Sequence, residues 1–274
     1  MKNGLCLDGG EMSNILKEVA KKEFANGVVY ALETVDGYLI ETTDTFLPSY
    51  TKESKGGSNA LTSDCLGSRK ERWMIGVSTM SGCPVRCKFC ATGAMKKCRI
   101  LTAEEIVAQV EFVLSQREES FVEAFEHKIN YTRMGEPFLN IKNVRKAVET
   151  IDEKYPNTHH YISTIGIQGA DYSWIKDNIT LQVSVHSLEE EKRNWLIPYK
   201  KKVTLKELGQ IRTQSWNKTT VNMTLVEESD FDIVKLCEMF DKDSFFIKLS
   251  PINTNCISEK NNLGDGFIQS VNIV

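Results

Sequence analysis

Apolar and polar positions set two rhythms along this chain, and the rhythms take turns. Six apolar, β-rich runs read as strands: WMIGVST at 73–79, KINYT at 128–132, HYISTIG at 160–166, LQVSVH at 181–186, TTVNMTLV at 219–226 and SFFIKLSPIN at 244–253. Between them, apolar residues recur at helical spacing. Ile106, Val107, Val110, Val113 and Leu114 mark one helix, opened by the capping-box pair Thr102 and Glu105. Ile141, Val144, Val148 and Ile151 mark a second, and YSWIKDN at 172–178 a short third. Leu205, Leu208 and Ile211 follow the capping pair Thr204 and Glu207, and FDIVKLCEMF at 231–240 completes the set. Such alternation predicts right-handed βαβ crossovers and a parallel sheet. Six units are too few to close an eightfold barrel. The expected fold class is therefore α/β, a partial (βα)6 barrel.

Upstream the pattern changes. Ser13 to Lys22 predicts a short amphipathic helix with Ile15, Leu16 and Val19 on one face. VVYALETVDGYLIETTD at 28–44 sets two β-rich runs around Asp36-Gly37, a hairpin signal. Residues 51–71, rich in Ser, Gly, Lys and Asn, read as a linker. The expected organisation is a small helix-plus-hairpin module over 1–50, a linker over 51–71 and the partial barrel over 72–274.

Charge and composition narrow the function. Lys and Arg number 34 against 37 Asp and Glu, a net charge of −3 in 274 residues. That balance argues against a chain dominated by phosphate-backbone contacts. Trp73, Trp174, Trp195 and Trp216 are too scattered for a stacking platform. A hydrophobic share of 41% excludes disorder throughout. No apolar run approaches the roughly 20 residues that span a bilayer, so no membrane partner and a cytoplasmic location are expected. Eight cysteines in such a chain point to a metal site rather than a disulfide framework.

Three of those cysteines, Cys83, Cys87 and Cys90, form a CxxxCxxC loop directly after the first barrel strand. Three thiolates on one loop suit three irons of a [4Fe–4S] cube and leave the fourth iron open to a small molecule. The alternatives are a zinc site or three unconnected thiols; structural zinc normally takes four protein ligands, and a second Cys pair is missing. Every other unusual motif also follows a predicted strand: Gly135-Glu136-Pro137, Ser163, Ser184-Val185-His186 and Asn253. Strand carboxyl ends are where parallel α/β folds place their chemistry.

CxxxCxxC after the first strand of a sixfold αβ chain resembles the radical S-adenosylmethionine (SAM) enzymes. Met134-Gly135-Glu136-Pro137 with Leu139-Asn140, Ser163-Thr164, Ser184-Val185-His186, Ile197-Pro198 and Pro251-Ile252-Asn253, in that order, narrow the resemblance to the RlmN/Cfr family of ribosomal RNA adenine methyltransferases. The likeness covers about residues 70 to 255. It implies a [4Fe–4S] cluster on Cys83, Cys87 and Cys90 and SAM as cofactor. It further implies that Gly135 and Glu136 meet the SAM amino group. Ser163, Ser184, His186 and Asn253 would line the SAM site and hydrogen-bond its ribose and carboxylate, and Val185 would offer backbone groups. Glu136 has a second reading as a cap for the segment after it, and His186 as a structural histidine.

The chain also departs from that family. The family has a cysteine seven residues before the first cluster cysteine, and here that position is Gly76. The family's methyl-carrying cysteine lies near the C-terminus. Here only 21 residues follow Asn253, and the cysteine among them is Cys256, too close to the last strand to be equated with it. The expected activity is therefore reductive cleavage of SAM and hydrogen abstraction from a substrate, without the family's methyl transfer. A reductant such as flavodoxin or ferredoxin is expected, and the substrate class is a nucleotide or RNA. The alternatives are methyl transfer through another thiol such as Cys65 or Cys256, a non-catalytic cluster protein, and a zinc-binding module. Arg133 stands where the family has a small residue; it suits a substrate carboxylate or phosphate, or equally a salt bridge. Lys96, Lys97, Arg99 and Lys200 to Lys202 read as solvated charge, and Cys237 as core.

Overall fold

A computed structural model describes residues 15–48, 66–225 and 231–264. The six predicted barrel strands are present and parallel: β4 (Arg72–Gly76), β7 (Glu126–Tyr131), β8 (His159–Thr164), β9 (Ile179–Ser184), β10 (Thr219–Leu225) and β11 (Phe245–Pro251). They lie side by side in that order, as a partial (βα)6 barrel should. Alternation of side chains explains the sheet. His127, Ile129 and Tyr131, then His160, Ile162 and Thr164, then Leu181 and Val183, are buried on one face. The apolar members join one core with Ile106, Val110 and Val113 of α1 (Ala103–Ser115) and Val144, Val148 and Ile151 of α2 (Ile141–Lys154). The intervening residues Lys128, Tyr161, Gln182 and Asn222 are half-buried on the other face.

Local signals account for the element ends. Thr102 and Glu105 form a complete capping box on α1, as do Thr204 and Glu207 on the short α4 (Leu205–Leu208). Between β4 and α1, the two-residue strands β5 (Met80–Ser81) and β6 (Arg99–Ile100) pair antiparallel and close the base of the cysteine loop. Three further helices are α3 (Glu190–Leu196), α5 (Ile233–Met239) and α6 (Cys256–Lys260). None of the helices is long and apolar enough to cross a membrane, among the described residues.

The N-terminal region corrects one expectation. Leu16–Phe24 is a strand, β1, not a helix. It pairs antiparallel with β2 (Gly27–Thr34), and β2 pairs with β3 (Leu39–Leu47) through the expected Asp36-Gly37 turn. A helix would have buried a stripe of this segment; instead only Leu16 is buried along β1, and backbone pairing to β2 holds the strand. β3 then pairs antiparallel with β4, so all nine long strands form one sheet. Most of the expected linker, residues 51–65, and the first residues of the expected helix lie outside the described residues. YSWIKDN is turns rather than helix, with Ile175 buried and Tyr172 and Trp174 packed beside Phe138. Cys237 is exposed, not core, because α5 buries only Leu236.

One buried carboxylate joins the N-terminal strands to the barrel. Asp44 on β3 is fully buried. It accepts two-pronged bonds from Arg69 at 2.7 and 3.1 Å, a third from Arg117 beyond α1 at 2.6 Å, and a fourth from the Trp73 indole at 2.8 Å. Asp44→Ala leaves two guanidinium groups without their anion. We expect a loss of about 3–5 kcal/mol, read as a lower urea midpoint, with Asp44→Asn losing less because it keeps one acceptor.

Candidate functional site

The parallel strands β4, β7, β8 and β9 aim their carboxyl ends at one cavity of about 220 Å³. Cys83, Cys87 and Cys90 line it from the loop after β5, with Arg133, Gly135 and Glu136 from the turn after β7. Ser163 is the penultimate residue of β8, Ser184 ends β9 and His186 follows it, and all three line the same cavity. Two of the predicted residues are elsewhere. Val185 is fully buried with its N–H bonded to the Asn222 carbonyl, and Asn253 is exposed; neither is among the lining residues. A larger cavity, about 750 Å³, opens among Arg69, Arg117 and Glu119 near the amino end of β4. It contains no thiol or histidine, so the chemistry favours the smaller one.

The turn after β7 shows why a glycine precedes the glutamate. Gly135 has φ +105°, and a Cβ there would lie 2.6 Å from Met80 Cγ and 2.7 Å from Thr79 Oγ1. Glu136 is then buried with both oxygens engaged. Oε1 accepts from the Phe138 N–H at 3.1 Å and Oε2 from the Ile165 N–H at 2.9 Å. The capping reading of Glu136 is thus real, for it caps the turn Pro137–Leu139. It also faces the cavity, where burial pushes its carboxyl up to about 7.

The other groups are shifted in the same sense. Burial pushes the Cys83 thiol up to about 12 and holds the Cys87 thiol well above its ordinary value. Burial, with the nearby Arg193 charge, lowers His186 to about 3. The neutral His186 ring accepts from the Thr224 N–H through Nδ1 at 3.0 Å and meets the Phe89 ring edge-on at 4.9 Å. Ser163 donates to Gln182 at 2.9 Å. Arg133 is ion-paired with Glu41 of β3, so the salt-bridge reading holds at that residue.

The chemistry of the donor set fits a [4Fe–4S] cluster. Thiols are ligands only as thiolates, and burial in this cavity disfavours the thiolate unless a metal centre compensates it. Three thiols along one loop match three irons of a cube. Among the described residues no group of three His, Cys, Asp or Glu is arranged to hold a metal ion.

Three supports were not legible in the sequence. Arg193 of α3 is fully buried and donates to the Val203 and Ile165 carbonyls, both at 2.7 Å, while its Nε has no hydrogen-bond partner among the described residues. Charge on Cys87 favours its guanidinium form. Asn255, which caps α6, donates to the Phe89 carbonyl at 2.9 Å, and Asn261 donates to the Lys88 carbonyl at 2.9 Å. These two amides tie α6 to the segment between Cys87 and Cys90. The Asn255/Ser258 capping pair was the one available signal for α6, and it does not reveal this docking.

The Radical SAM superfamily model matches residues 77–240. The chain is 33% identical over 201 residues to a probable dual-specificity RNA methyltransferase RlmN of Chlorobium phaeobacteroides, covering 68% of this chain and 55% of that protein. It is 32% identical over 190 residues to the like-named protein of Thermosipho melanesiensis, covering 65% and 54%. The chain thus spans about half the length of the curated relatives it matches. Its fold resembles that of a radical SAM methyltransferase from Sphaerobacter thermophilus, with a TM-score of 0.60 at 22% identity over 87% of this chain and 67% of that one. At that identity the likeness concerns the fold alone.

The buried His186 predicts an acid-sensitive fold. Its folded-state value, about 3, lies below the unfolded value of about 6.5, so the unfolded chain takes up a proton that the native ring refuses. Its contribution to stability is complete above about pH 6.5 and is lost as pH falls toward 3. Glu136 has the opposite sign, because a raised carboxyl costs stability as pH rises from its unfolded value of 4.5 to about 7. Comparing wild type with His186→Asn, a residue that tolerates the φ of +60° found here, cancels the Glu136 part. Urea titrations at pH 7 and pH 5 should show the wild type losing about 2 kcal/mol more than the variant.

Proposed function

The chain belongs to the radical SAM superfamily, whose members use a [4Fe–4S] cluster and SAM, and on that premise we propose that it cleaves SAM reductively at the cavity below the cysteine loop. The observation that carries this reading is that three thiols and the buried Glu136 line one cavity at the ends of adjacent parallel strands. Cleavage leads to removal of a hydrogen atom from a substrate of the nucleotide or RNA class, in the cytoplasm, with a low-potential reductant as partner.

When bound, the cluster and SAM would supply the one-electron reduction and the radical chemistry. The protein's residues do the rest. Cys83, Cys87 and Cys90 would hold the cluster as its three thiolate ligands. Glu136, immobilised by two backbone N–H groups, receives the ammonium, and a charge-assisted bond there favours the ionised carboxylate. Gly135 makes the tight turn that places Glu136, because a Cβ there would collide with Met80 and Thr79. His186 stays neutral and fixed beside Phe89, so it adds shape without charge. Val85 and Ile165, both nearly inaccessible, keep water from the cavity wall.

RNA adenine methylation is the second reading, favoured by the names of the relatives at 32–33% identity. The geometry around Gly76 supports the first. A Cβ at residue 76 would lie 2.4 Å from Thr43 Oγ1 and 3.0 Å from Arg133 Cδ, so the position where that family carries a thiol has no room for a side chain.

The anaerobically purified, iron- and sulfide-reconstituted and reduced protein, given SAM alone, should release 5′-deoxyadenosine and methionine. S-adenosylhomocysteine in their place would mean that a thiol accepts a methyl group and that the second reading is right. Cys83→Ala should lose the cluster absorbance and all 5′-deoxyadenosine formation. Glu136→Gln should keep the cluster and weaken SAM binding by about tenfold or more, because a neutral amide replaces the ammonium's partner. Unchanged SAM affinity in that variant would remove Glu136 from the site.

A further inference from the structure

The cysteine loop has two faces of different chemistry. From Arg86 to Arg99 the chain carries five cations and no carboxylate, within a protein of net charge −3. Arg99 is committed to Glu105 at 2.7 Å and Asp36 at 2.9 Å. Arg86, Lys96 and Lys97 are exposed and Lys88 is half-buried. Among the described residues none of these four has an ion-pair partner. The same loop lines the cavity with Cys83, Cys87, Phe89 and Cys90, and none of the four cations is in that lining. Thiols face in and cations face out.

We propose that the outer face of this loop, centred on Arg86, Lys88, Lys96 and Lys97, is the docking surface for a small acidic electron-transfer protein of the flavin or iron–sulfur type. The inference rests on the proposed role of Cys83, Cys87 and Cys90 as cluster ligands. Arg86 and Lys88 flank Cys87 in sequence, so a donor seated on them stands one ligand residue away from the iron. In the step the donor gives up one electron and the cluster gains it; no atom moves. A substrate must reach the cavity, whereas an electron donor need not, so unpaired charge turned away from the cavity suits the donor. The cation that lines the cavity, Arg133, is already matched by Glu41. Loop position is fixed from behind by the Asn255 and Asn261 amides and by the Lys88 N–H bonded to the Leu196 carbonyl at 2.9 Å. The face is therefore presented rigidly, and complementary charge on a partner speeds its approach and orients it.

The test compares wild type with Lys96→Glu/Lys97→Glu and, separately, Arg86→Glu. Binding of oxidised flavodoxin is followed by its flavin fluorescence at low salt and at about 0.3 M salt. SAM cleavage is followed with either reduced flavodoxin or dithionite, a small reductant that needs no docking site. Both variants should bind flavodoxin about tenfold or more weakly, and the wild-type affinity should fall steeply with salt. Flavodoxin-driven 5′-deoxyadenosine formation should drop at least about fivefold while the dithionite-driven rate stays at the wild-type level. Equal flavodoxin affinity in variants and wild type would overturn the proposal, as would equal loss with both reductants. Loss of binding to a ribosomal-RNA hairpin with flavodoxin-driven turnover intact would assign the face to polynucleotide and also overturn it. Failure of the cluster reading looks different: the wild type would then retain no iron and cleave nothing even with dithionite, while flavodoxin binding, which needs no cluster, still reports on the surface.

Discussion

Burial of ionisable groups in one cavity is the constraint on which this site depends. Each group whose shift is resolved there is driven toward its neutral form: the Cys83 and Cys87 thiols upward, Glu136 upward to about 7, and His186 downward to about 3. Even the buried Arg193 is lowered, to about 10. A protein gains nothing in stability from collecting such groups, because each one desolvated without a partner costs free energy. The arrangement makes physical sense as a receptor for positive charge. Bound iron would turn the thiols into thiolates, and a bound ammonium would turn Glu136 into a carboxylate. Glu136 is already positioned for this by two backbone N–H groups.

Holding such a cavity open requires stiffness elsewhere, and the fold supplies it through side-chain hydrogen bonds and ion pairs that cross element boundaries. Asp44 fastens β3 to the segments flanking β4 and α1. Arg193 joins the loop after β8 to the stretch after α3 through two carbonyls. Asn140, also buried, bonds the Thr79 and Leu101 carbonyls on either side of the cysteine loop, at 2.9 and 2.7 Å. α6 closes the other side through Asn255 and Asn261. The cysteine loop is therefore gripped at its base by β5 and β6 and along its length by two side-chain amides of α6.

The sequence made some of this legible and hid the rest for a consistent reason. Capping boxes at Thr102 and Thr204, the Asp36-Gly37 turn and the six barrel strands all depend on residues within a few positions of each other, and these are present. Leu16–Phe24 misleads because its helical spacing of apolar residues is outweighed by backbone pairing with β2, a tertiary effect that local pattern does not carry. YSWIKDN has helix-like content but spends its aromatic side chains on Phe138. At the site, Cys83, Glu136, Ser163, Ser184 and His186 were legible because each follows a strand. Val185 followed the same rule, and its side chain is buried while its N–H is bonded to the Asn222 carbonyl. Arg193 was invisible because a run of charged residues at 189–193 looks like a solvated helix face.

Gly76 and Arg133 look like two unrelated departures when read along the chain, 57 positions apart. In the fold they are neighbours. β4 and β7 pair in parallel, and the Arg133 side chain passes over Gly76, where Thr43 already leaves no room for a Cβ. The guanidinium then reaches Glu41 on the next strand. Glycine at 76 is what allows the arginine to lie there, and the arginine fills what the glycine vacates. The two changes act as one replacement of local volume and charge at the wall of the cavity that the cysteines also line. A lineage that altered one of these residues alone would face either a collision or a void. The two departures are therefore best understood as a single refitting at the junction of β3, β4 and β7, beside the cavity that Cys83, Cys87, Cys90 and Glu136 line.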